Sequence, residues 1–338
     1  MFVELLHKVM RHQDLSADEA FAAMEGIVDG SAHQAQVAGL LVGLAMKGER
    51  PAEIVGFARS MRSRAVPLAV PPGGCVDLCG TGGDGSGTFN ISSAASVVVA
   101  AAGERVAKHG NRSVSSRCGS ADVFEQLGVR IDAPAGVVER CLREAGLAFL
   151  FAPTFHPSMR NAGAVRRELA VRSAFNLLGP LTNPARPSRQ LVGVSRPEQT
   201  ELIARALGLL GSGRAWVVHG ADGLDEVSTT GYTKVSECRD GRVNTFYLHP
   251  ADLGLRKAAL NDLVGGDAVV NAAVLTGVLE GRPGAARDIV LANAGAVLLL
   301  AGRATTIREG LAVAAHAIDS GAARETLRRL IACSQEEA

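Results

Sequence analysis

A dense cluster of glycines is the feature that most restricts how this chain can fold. The stretch CGTGGDGSGTFNISSAAS, residues 79–96, holds five glycines, two threonines and one aspartate ahead of a run of small residues typical of a helix. Glycine gives up side-chain contacts and loses more conformational entropy on folding than other residues, so such a cluster indicates backbone that approaches a ligand closely. Exposed main-chain N–H groups favour an anion, and phosphate is the first candidate.

The same stretch also fits a dinucleotide-binding pattern. Residues 80–85 satisfy GxGxxG and follow a predicted strand, which is the context of that motif. However, Asp84 would place a negative charge inside the pyrophosphate cradle, and the second predicted strand ends at Lys108, where a ribose-binding acid is expected. NAD binding therefore ranks below a phosphate site of different construction.

The overall charge provides no general attraction for an anion. The chain of 338 residues has 35 Lys and Arg against 34 Asp and Glu, so nothing in its net charge indicates a nucleic acid or a membrane as partner. An anionic ligand must be met by local positive groups.

The N-terminal sequence and the cysteines bear on location. MFVELLHKVMRHQD lacks a continuous apolar core and a small-residue cleavage site, and no run reaches about 18 uninterrupted apolar residues. The six cysteines show neither CxxC pairs nor zinc-type spacing, which is typical of reduced thiols. These patterns predict a cytoplasmic protein.

Residues 1–65 show helical periodicity throughout. Ser16 and Ser31 each precede an apolar pattern with a capping-box spacing, and Pro51 is placed to open a third helix. Three short helices cannot cover their own apolar faces. We therefore expect them to pack on the rest of the chain or on another subunit.

A change of pattern follows the Pro/Gly-rich residues 67–74, which predict a hinge or linker. Short β-type runs then alternate with loops and helices, at residues 75–79, 104–107, 148–151 and 216–219. This alternation predicts an α/β sheet with helices on both faces. An Arg-rich helical stretch at 157–181 interrupts the alternation and is predicted to return to the helical part.

A second polar loop follows the second predicted strand. Its candidate anion-binding side chains are Lys108, His109, Asn111, Arg112, Ser115, Ser116 and Ser120. One such loop is commonly just solvated, but two at neighbouring strand ends indicate a ligand with more than one phosphate.

Two further segments carry candidate chemistry. Asp225 and Glu226 follow the run at 216–219 and would suit Mg²⁺, which commonly bridges carboxylates and substrate phosphates. The segment 154–184 offers cations and polar groups of which one or more could clamp a carboxylate; these are His156, Arg160, Asn161, Arg166, Arg167 and Arg172.

Five co-linear motifs resemble those of the anthranilate phosphoribosyltransferases, and the resemblance covers essentially the whole chain. They are GTGGDGSGTFNIS, KHGNRSVSSRCGSADVFEQLG, HPSMRNAGAVRREL, FNLLGPLTNP and HGADGLDEVS. The resemblance implies an α-helical domain of residues 1–66 with about 160–183, a hinge at 67–74, and a larger α/β domain of 75–159 and 184–338 with a mostly parallel sheet. It also implies a homodimer formed through the helical part.

The resemblance also implies roles for individual residues. Phosphoribosyl pyrophosphate (PRPP) would be held by Gly80, Gly82, Gly83, Asp84, Thr88, Asn90, Ser92, Ser93, Lys108 and Ser120. Mg²⁺ would be held by Ser92, Asp225 and Glu226. Anthranilate would be bound by Gly80, His109, Asn111, His156 and Arg166, with Arg166 on its carboxylate and His109 either accepting a proton or forming a wall.

Three positions depart from the family pattern, since Ser158, Ala170 and Ser173 stand where alanine, glycine and threonine are usual. None of these changes removes a charged or coordinating group. The alternatives are a pyrimidine nucleoside phosphorylase, which the HGNRS motif and the acidic pair disfavour, and a catalytically silent sensor, which would be expected to have lost one of the site groups.

Overall fold

The N-terminal part of the chain folds into four helices. The computed structural model describes residues 2–113 and 117–337, so Ser115 and Ser116 of the second polar loop lie outside the described residues. The helices are α1 (Phe2–Met10), α2 (Ala17–Val28), α3 (Gln34–Lys47) and α4 (Pro51–Ser63). The helical prediction for this region is confirmed, and α1 precedes the three helices whose beginnings the sequence marked.

One of the two predicted capping boxes is present. Ser16 Oγ accepts a hydrogen bond from Glu19 N at 3.2 Å, and Glu19 Oε2 accepts one from Ser16 N at 2.8 Å. The prediction for Ser31 was wrong, because α3 begins at Gln34 with His33 as its cap. Ser31 N donates instead to Asp29 Oδ1 at 2.8 Å, so the aspartate draws Ser31 into the turn that precedes the helix.

A buried carboxylate ties three segments of the helical part together. Glu53 has no exposed surface and accepts hydrogen bonds from Leu15 N at 2.9 Å and Arg50 N at 2.8 Å. The ammonium of Lys47, whose side chain is 3% exposed, lies 3.0 Å from Glu53 Oε1. The charge is therefore paired and hydrogen-bonded, as a buried charge must be.

The rest of the chain forms a seven-stranded sheet of order β3-β2-β1-β4-β5-β6-β7. The strands are β1 (Val76–Gly80), β2 (Val106–Gly110), β3 (Leu147–Phe151), β4 (Arg189–Gly193), β5 (Arg214–Gly220), β6 (Thr233–Arg239) and β7 (Arg242–Leu248). The first five are parallel, while β6 and β7 are antiparallel. The predicted mostly parallel sheet is confirmed.

Four of these strands, β1, β2, β3 and β5, correspond to the four predicted runs with shifted ends. The main shift concerns β2, which extends to Gly110, so Lys108 and His109 are strand residues and do not belong to the loop that follows. Strand β4 and the β6–β7 hairpin were not predicted. The hairpin alternates exposed and buried positions and carries charges on its open face, which conceals its apolar pattern.

Helices follow most strands and complete the fold. They are α5 (Ile91–Ala101), α6 (Ser120–Gln126), α7 (Ala135–Glu144), α8 (Ala152–Phe155), α9 (Arg160–Leu169), α10 (Phe175–Leu178), α11 (Gln199–Leu209), α12 (Ala268–Leu279), α13 (Ala285–Ala301), α14 (Ile307–Asp319) and α15 (Ala322–Gln335). Among the described residues, no helix combines the length and the apolar character that crossing a bilayer requires.

The two faces of the sheet are buried against different sets of helices. Leu191, Trp216 and Val218 belong to one apolar cluster with residues of α5 and α13. Their strand neighbours Val192 and Val217 belong to a second cluster, with the N-terminal helices, α9, α10 and α11. Successive strand residues point to opposite faces, so the helical part packs directly on one face of the sheet.

Strand order creates a crevice beside β1. The chain passes from β1 to β2 and β3 on one side, and then places β4 on the other side of β1. Ligands of open α/β sheets bind at such a reversal, outside the carboxyl ends of the strands. Gly80 at the end of β1 pairs with Gly193 at the end of β4, so both strands reach this edge with glycine.

The buried Glu53–Lys47 pair leads to a stability prediction. Glu53→Gln is expected to lower the free energy of unfolding by about 2 kcal/mol, because the Lys47 ammonium loses its buried counter-ion and keeps only the half-exposed Asp14, 2.8 Å away. Urea unfolding followed by circular dichroism measures the change. Arg59→Ala is the control, since Arg59 pairs with Asp18 at 3.2 Å on the surface and such pairs contribute less than about 1 kcal/mol. Equal losses in the two variants would contradict the prediction.

Candidate active site

The glycine loop begins where β1 ends. Four of its glycines have positive φ, with values of 66° to 73°; these are Gly82, Gly83, Gly85 and Gly87. Other residues adopt this conformation only with strain. Asp84 closes a turn within the loop by accepting a hydrogen bond from Ser86 Oγ at 2.6 Å. The loop is therefore shaped by its glycines and held from within by Asp84.

The loop leads into the N-terminus of α5, where the predicted residues Thr88, Asn90, Ser92 and Ser93 lie. Asn90 uses its side chain internally, donating to Cys118 O at 3.3 Å and accepting from Asn271 Nδ2 at 2.9 Å. It thus joins the glycine loop to the segment before α6 and to α12. Ser93 Oγ is buried without a hydrogen-bond partner among the described residues.

Lys108 is buried between β1 and α5. Its ammonium donates to Leu78 O at 2.6 Å and to Ser92 Oγ at 3.2 Å, and the residue is 2% exposed. Asp77 lies nearby with no exposed surface, accepting hydrogen bonds from Asn183 Nδ2 at 2.8 Å and His109 N at 3.3 Å. Burial raises the pKa of Asp77 to about 6, against the lowering effect of the Lys108 charge.

The acidic pair lies at the same edge of the sheet, in the loop after β5. Asp225 Oδ2 accepts a hydrogen bond from Gly82 N at 2.8 Å. A Cβ atom at either Gly80 or Gly193 would collide with Asp225, so the two strand ends need glycine for this loop to reach the crevice. The structure brings together the glycine loop, Lys108 and the acidic pair.

The surroundings of Asp225 and Glu226 disfavour ionisation of both carboxyl groups. Burial, reinforced by the charge of Asp84, raises the pKa of Asp225 to about 6. Burial and the charges of Asp225 and Asp84 raise the pKa of Glu226 well above its usual range, although Lys108 and the N–H of Ser92 lower it. Proximity of carboxylates opposes ionisation, and a bound cation would relieve it.

The oxygens at this edge fit Mg²⁺. Two carboxylates and the hydroxyl of Ser92 are hard donors, and Mg²⁺ usually takes one or two protein carboxylates together with substrate phosphates. Residues 2–113 and 117–337 contain no cluster of three or more His, Cys, Asp or Glu side chains able to enclose a metal ion by themselves. A Mg²⁺ ion held by these oxygens would therefore share its coordination with a ligand.

The described residues of the second polar loop lie between β2 and α6. Ser120 is the first residue of α6, and its hydroxyl donates to Asn111 O at 3.4 Å. Arg112 is held by acidic side chains of α6, because its guanidinium donates to Asp122 at 2.8 Å and to Glu125 at 2.7 Å. Asn111 is exposed at the crevice end of β2.

His109 and His156 form a buried neutral pair. Their ring centroids are 5.4 Å apart in an edge-to-face arrangement. His109 Nδ1 lies 2.9 Å from Gly179 O, and a carbonyl can only accept, so Nδ1 carries the proton. Within the described part of the chain, the Nε2 atoms of both rings are buried without a partner. Burial lowers the pKa of His109 to about 3 and that of His156 to about 4.

Arg166 lies on α9 with its guanidinium over the Phe175 ring, 5.4 Å from the centroid. Burial lowers its pKa from the usual value. The neighbouring residues have structural contacts, since Asn161 Nδ2 donates to Val28 O at 2.8 Å and Arg160 Nε to Pro157 O at 3.2 Å. Stacking on Phe175 thus holds the Arg166 guanidinium in place. Among the described residues, its N–H groups have no hydrogen-bond partner and can bind an anion.

The structure adds residues that sequence reasoning did not assign to the site. Asp77 and Asn183 link β1 to the segment that follows α10, and Gly193 makes room for Asp225. Arg172, considered only as one of several cations, donates to two carbonyls of the glycine loop. An aspartate inside an otherwise apolar strand, VDLCG, was the one signal that could have identified Asp77.

One of the departures from the family pattern lies in this region. Ala170 ends α9 in the left-handed conformation, with φ of 49°. A Cβ atom makes this conformation unfavourable by roughly 1 kcal/mol, which explains why glycine is the usual residue at the position.

Comparisons with known proteins identify the family of this chain. Residues 3–65 match the model of the glycosyl transferase family, helical bundle domain, and residues 73–324 match that of the glycosyl transferase family, a/b domain. An anthranilate phosphoribosyltransferase of Moorella thermoacetica is 55% identical over 97% of this chain and 96% of its own length. One of Azorhizobium caulinodans is 50% identical over 99% and 97%.

Solved structures give the same result. The anthranilate phosphoribosyltransferase of Thermus thermophilus is 43% identical and superposes with a TM-score of 0.93, over 98% of this chain and 99% of its own. The Saccharomyces cerevisiae enzyme in complex with PRPP and Mg is 26% identical, with a TM-score of 0.89 over 98% and 97%. The same yeast enzyme in complex with 4-fluoroanthranilate is 25% identical, with a TM-score of 0.87 over 99% and 98%.

These matches extend over both parts of the chain and over every motif that the sequence analysis singled out. They support the transferases over the nucleoside phosphorylases as the relatives of this protein. The chain belongs to the anthranilate phosphoribosyltransferase family.

Proposed function

We propose that this protein transfers the phosphoribosyl group of PRPP to the amino group of anthranilate. The products are N-(5-phosphoribosyl)anthranilate and pyrophosphate, and the reaction is the second step of tryptophan biosynthesis from chorismate. The observation that carries the proposal is the hydrogen bond from Gly82 N to Asp225 Oδ2. It places an anion-binding loop and a cation-binding acid side by side, as a Mg²⁺-linked diphosphate requires.

The donor lies at the carboxyl ends of β1 and β2. Its phosphates are held by loop N–H groups, by the N-terminus of α5 and by Lys108, which already touches Ser92. The full set is Gly80, Gly82, Gly83, Asp84, Thr88, Asn90, Ser92, Ser93, Lys108 and Ser120. Ser92, Asp225 and Glu226 would hold Mg²⁺, which when bound would add positive charge beside the pyrophosphate leaving group.

The acceptor lies between the sheet edge and α9. Arg166 pairs with the carboxylate of anthranilate, for which a planar guanidinium is well shaped. The ring lies against the His109–His156 pair, with Gly80 and Asn111 completing the site. This arrangement aims the amino group at the ribose C1 held on the glycine loop.

Positioning supplies most of the catalysis. Departure of pyrophosphate leaves positive charge on the sugar and negative charge on the leaving group, which Lys108 and the loop N–H groups stabilise. The amino group of anthranilate is already neutral near pH 7 and needs no activation. The low pKa of His109 makes it a poor proton acceptor, so its role as a wall of the acceptor site is favoured over that of a general base.

We also propose that the protein forms a homodimer. Exposed apolar side chains on α1 and α3 support a homodimer formed through the helical part, including Met10 at 74% and Met46 at 77% exposure. The linker at 67–74 separates the helical domain of 1–66 with about 160–183 from the α/β domain, and allows the two to close on substrate. The cytoplasm is the proposed location.

The direct test of the proposed function is the loss of anthranilate fluorescence. Fluorescence is expected to decrease only when the protein, PRPP and Mg²⁺ are all present, with each omitted in turn as a control. Phosphate-dependent cleavage of uridine or thymidine instead would place the protein with the phosphorylases. No reaction in either assay would favour the alternative of a catalytically silent sensor.

Arg166→Ala is expected to raise the KM for anthranilate by about tenfold to a hundredfold, because a charged hydrogen bond to the carboxylate is lost. The KM for PRPP should change little. Steady-state kinetics measures both constants, with Arg167→Ala as the control on the same helix. Equal increases in the two KM values would reject the assignment of Arg166.

The double variant Asp225→Asn, Glu226→Gln is expected to lower the Mg²⁺-dependent part of PRPP affinity by at least about tenfold. Calorimetric titration with and without Mg²⁺ measures it. A Mg²⁺-linked affinity equal to that of the wild type would refute the assignment.

The pH dependence of PRPP binding follows from the raised pKa of Asp225, about 6. The carboxylate binds a cation only when ionised, so the Mg²⁺-dependent affinity of the wild type should decline as the pH falls from about 7.5 through about 6. Protonation of PRPP itself affects wild type and double variant alike. A decline of the same size in both proteins would assign the effect to the ligand and not to Asp225.

A further inference from the structure

Arg172 connects the helical part of the molecule to the glycine loop. Its guanidinium donates to Gly83 O at 2.5 Å from Nη1 and to Gly82 O at 3.1 Å from Nη2. It follows the C-terminal end of α9, whose residues Ala162 and Val165 are buried in the helical cluster. The contact therefore reaches from one side of the crevice to the other.

This contact fixes the direction of two peptide groups. In a trans peptide, the form that the loop adopts, the C=O and the following N–H point in opposite directions. Because Arg172 holds the carbonyls of Gly82 and Gly83, the N–H groups of Gly83 and Asp84 point away from the guanidinium. Gly82 N is separately held by Asp225 at 2.8 Å. Both ends of the turn are thus oriented by side chains from outside the loop.

A glycine loop needs such support because its own sequence does not define one conformation. Gly82 and Gly83 have φ of 66° and 70°, yet glycine populates the opposite sign about as readily. An anion-binding loop binds its ligand more tightly when its N–H groups are already directed at the ligand before it arrives.

We infer that Arg172 is a positioning residue, which holds the glycine loop in its anion-binding conformation for the diphosphate of the donor. The inference rests on the proposed function for the identity of that donor. It also gives this stretch of chain two roles, since Arg166 on α9 faces the proposed acceptor site while Arg172, three residues beyond the end of α9, orders the donor loop.

The test compares Arg172→Lys with Arg167→Lys. Lysine keeps the charge but cannot hold two carbonyls at once, so the KM and the calorimetric Kd for PRPP should rise by about tenfold to a hundredfold. The KM for anthranilate should stay within about twofold of the wild-type value. Arg167→Lys, an exposed change on α9, the helix that precedes Arg172, should behave as the wild type.

Hydrogen exchange provides a readout that a general loss of stability would not reproduce. Without ligand, amides of residues 82–88 should exchange faster in Arg172→Lys than in the wild type, while those of α2 and α4 stay unchanged. Equal increases across the helical part, or unchanged PRPP affinity, would overturn the inference. Arg172→Ala is a second, more severe variant. If it fails to fold, the PRPP affinity of Arg172→Lys still tests the inference.

Failure of the proposed function is distinguishable from failure of this inference. Wild-type protein that binds PRPP but leaves anthranilate fluorescence unchanged would refute the transferase reaction, and PRPP calorimetry would still test Arg172. Wild-type protein that consumes anthranilate, with a lysine variant of equal PRPP affinity, would refute only the positioning role.

Discussion

The carboxylate of Asp225, which packs against the ends of two strands, determines how the crevice is built. Asp225 reaches the edge of the sheet only because β1 and β4 both end in glycine, at Gly80 and Gly193, where a side chain would collide with it. From there it accepts the Gly82 N–H and fixes the beginning of the glycine loop. The glycines at the two strand ends, the beginning of the glycine loop and the position of the acidic oxygens therefore all depend on one packing constraint.

The two sides of the crevice carry opposite charge. The sheet side holds Asp84, Asp225 and Glu226, with the buried Lys108 as the nearby cation that lowers the pKa of Glu226. The helical side presents Arg166 and Arg172. A donor with its Mg²⁺ and an acceptor carboxylate would complement this division, because a bound metal would neutralise the sheet side while Arg166 would pair with the acceptor carboxylate. Arg172 contributes differently, since its guanidinium is engaged by the carbonyls of Gly82 and Gly83.

The sequence alone predicted the features that depend on residues close together along the chain. The helix beginnings at Ser16 and Pro51, four strands of the sheet and the glycine loop each depend on neighbours within a few positions. Ser31 was misassigned because Asp29 competes for its backbone N–H. The contacts of Arg172 with Gly82 and Gly83 join residues 90 and 89 positions apart. The Asn183–Asp77 bond spans 106 positions, so neither contact leaves a pattern that periodicity or spacing can reveal.

The histidine pair shows how burial decides between two chemical roles that the sequence leaves open. A histidine beside an acceptor site suggests a base, but His109 is 3% exposed and donates its Nδ1 proton to a main-chain carbonyl. Charging its ring would place a cation in a buried site next to His156 and Lys108, whose effects on the pKa of His109 are both downward. The neutral Nε2 can still accept a hydrogen bond from an amino group. This hydrogen bond would orient the lone pair of the amino nitrogen without removing a proton. A reaction limited by the alignment of its reactants needs such orientation.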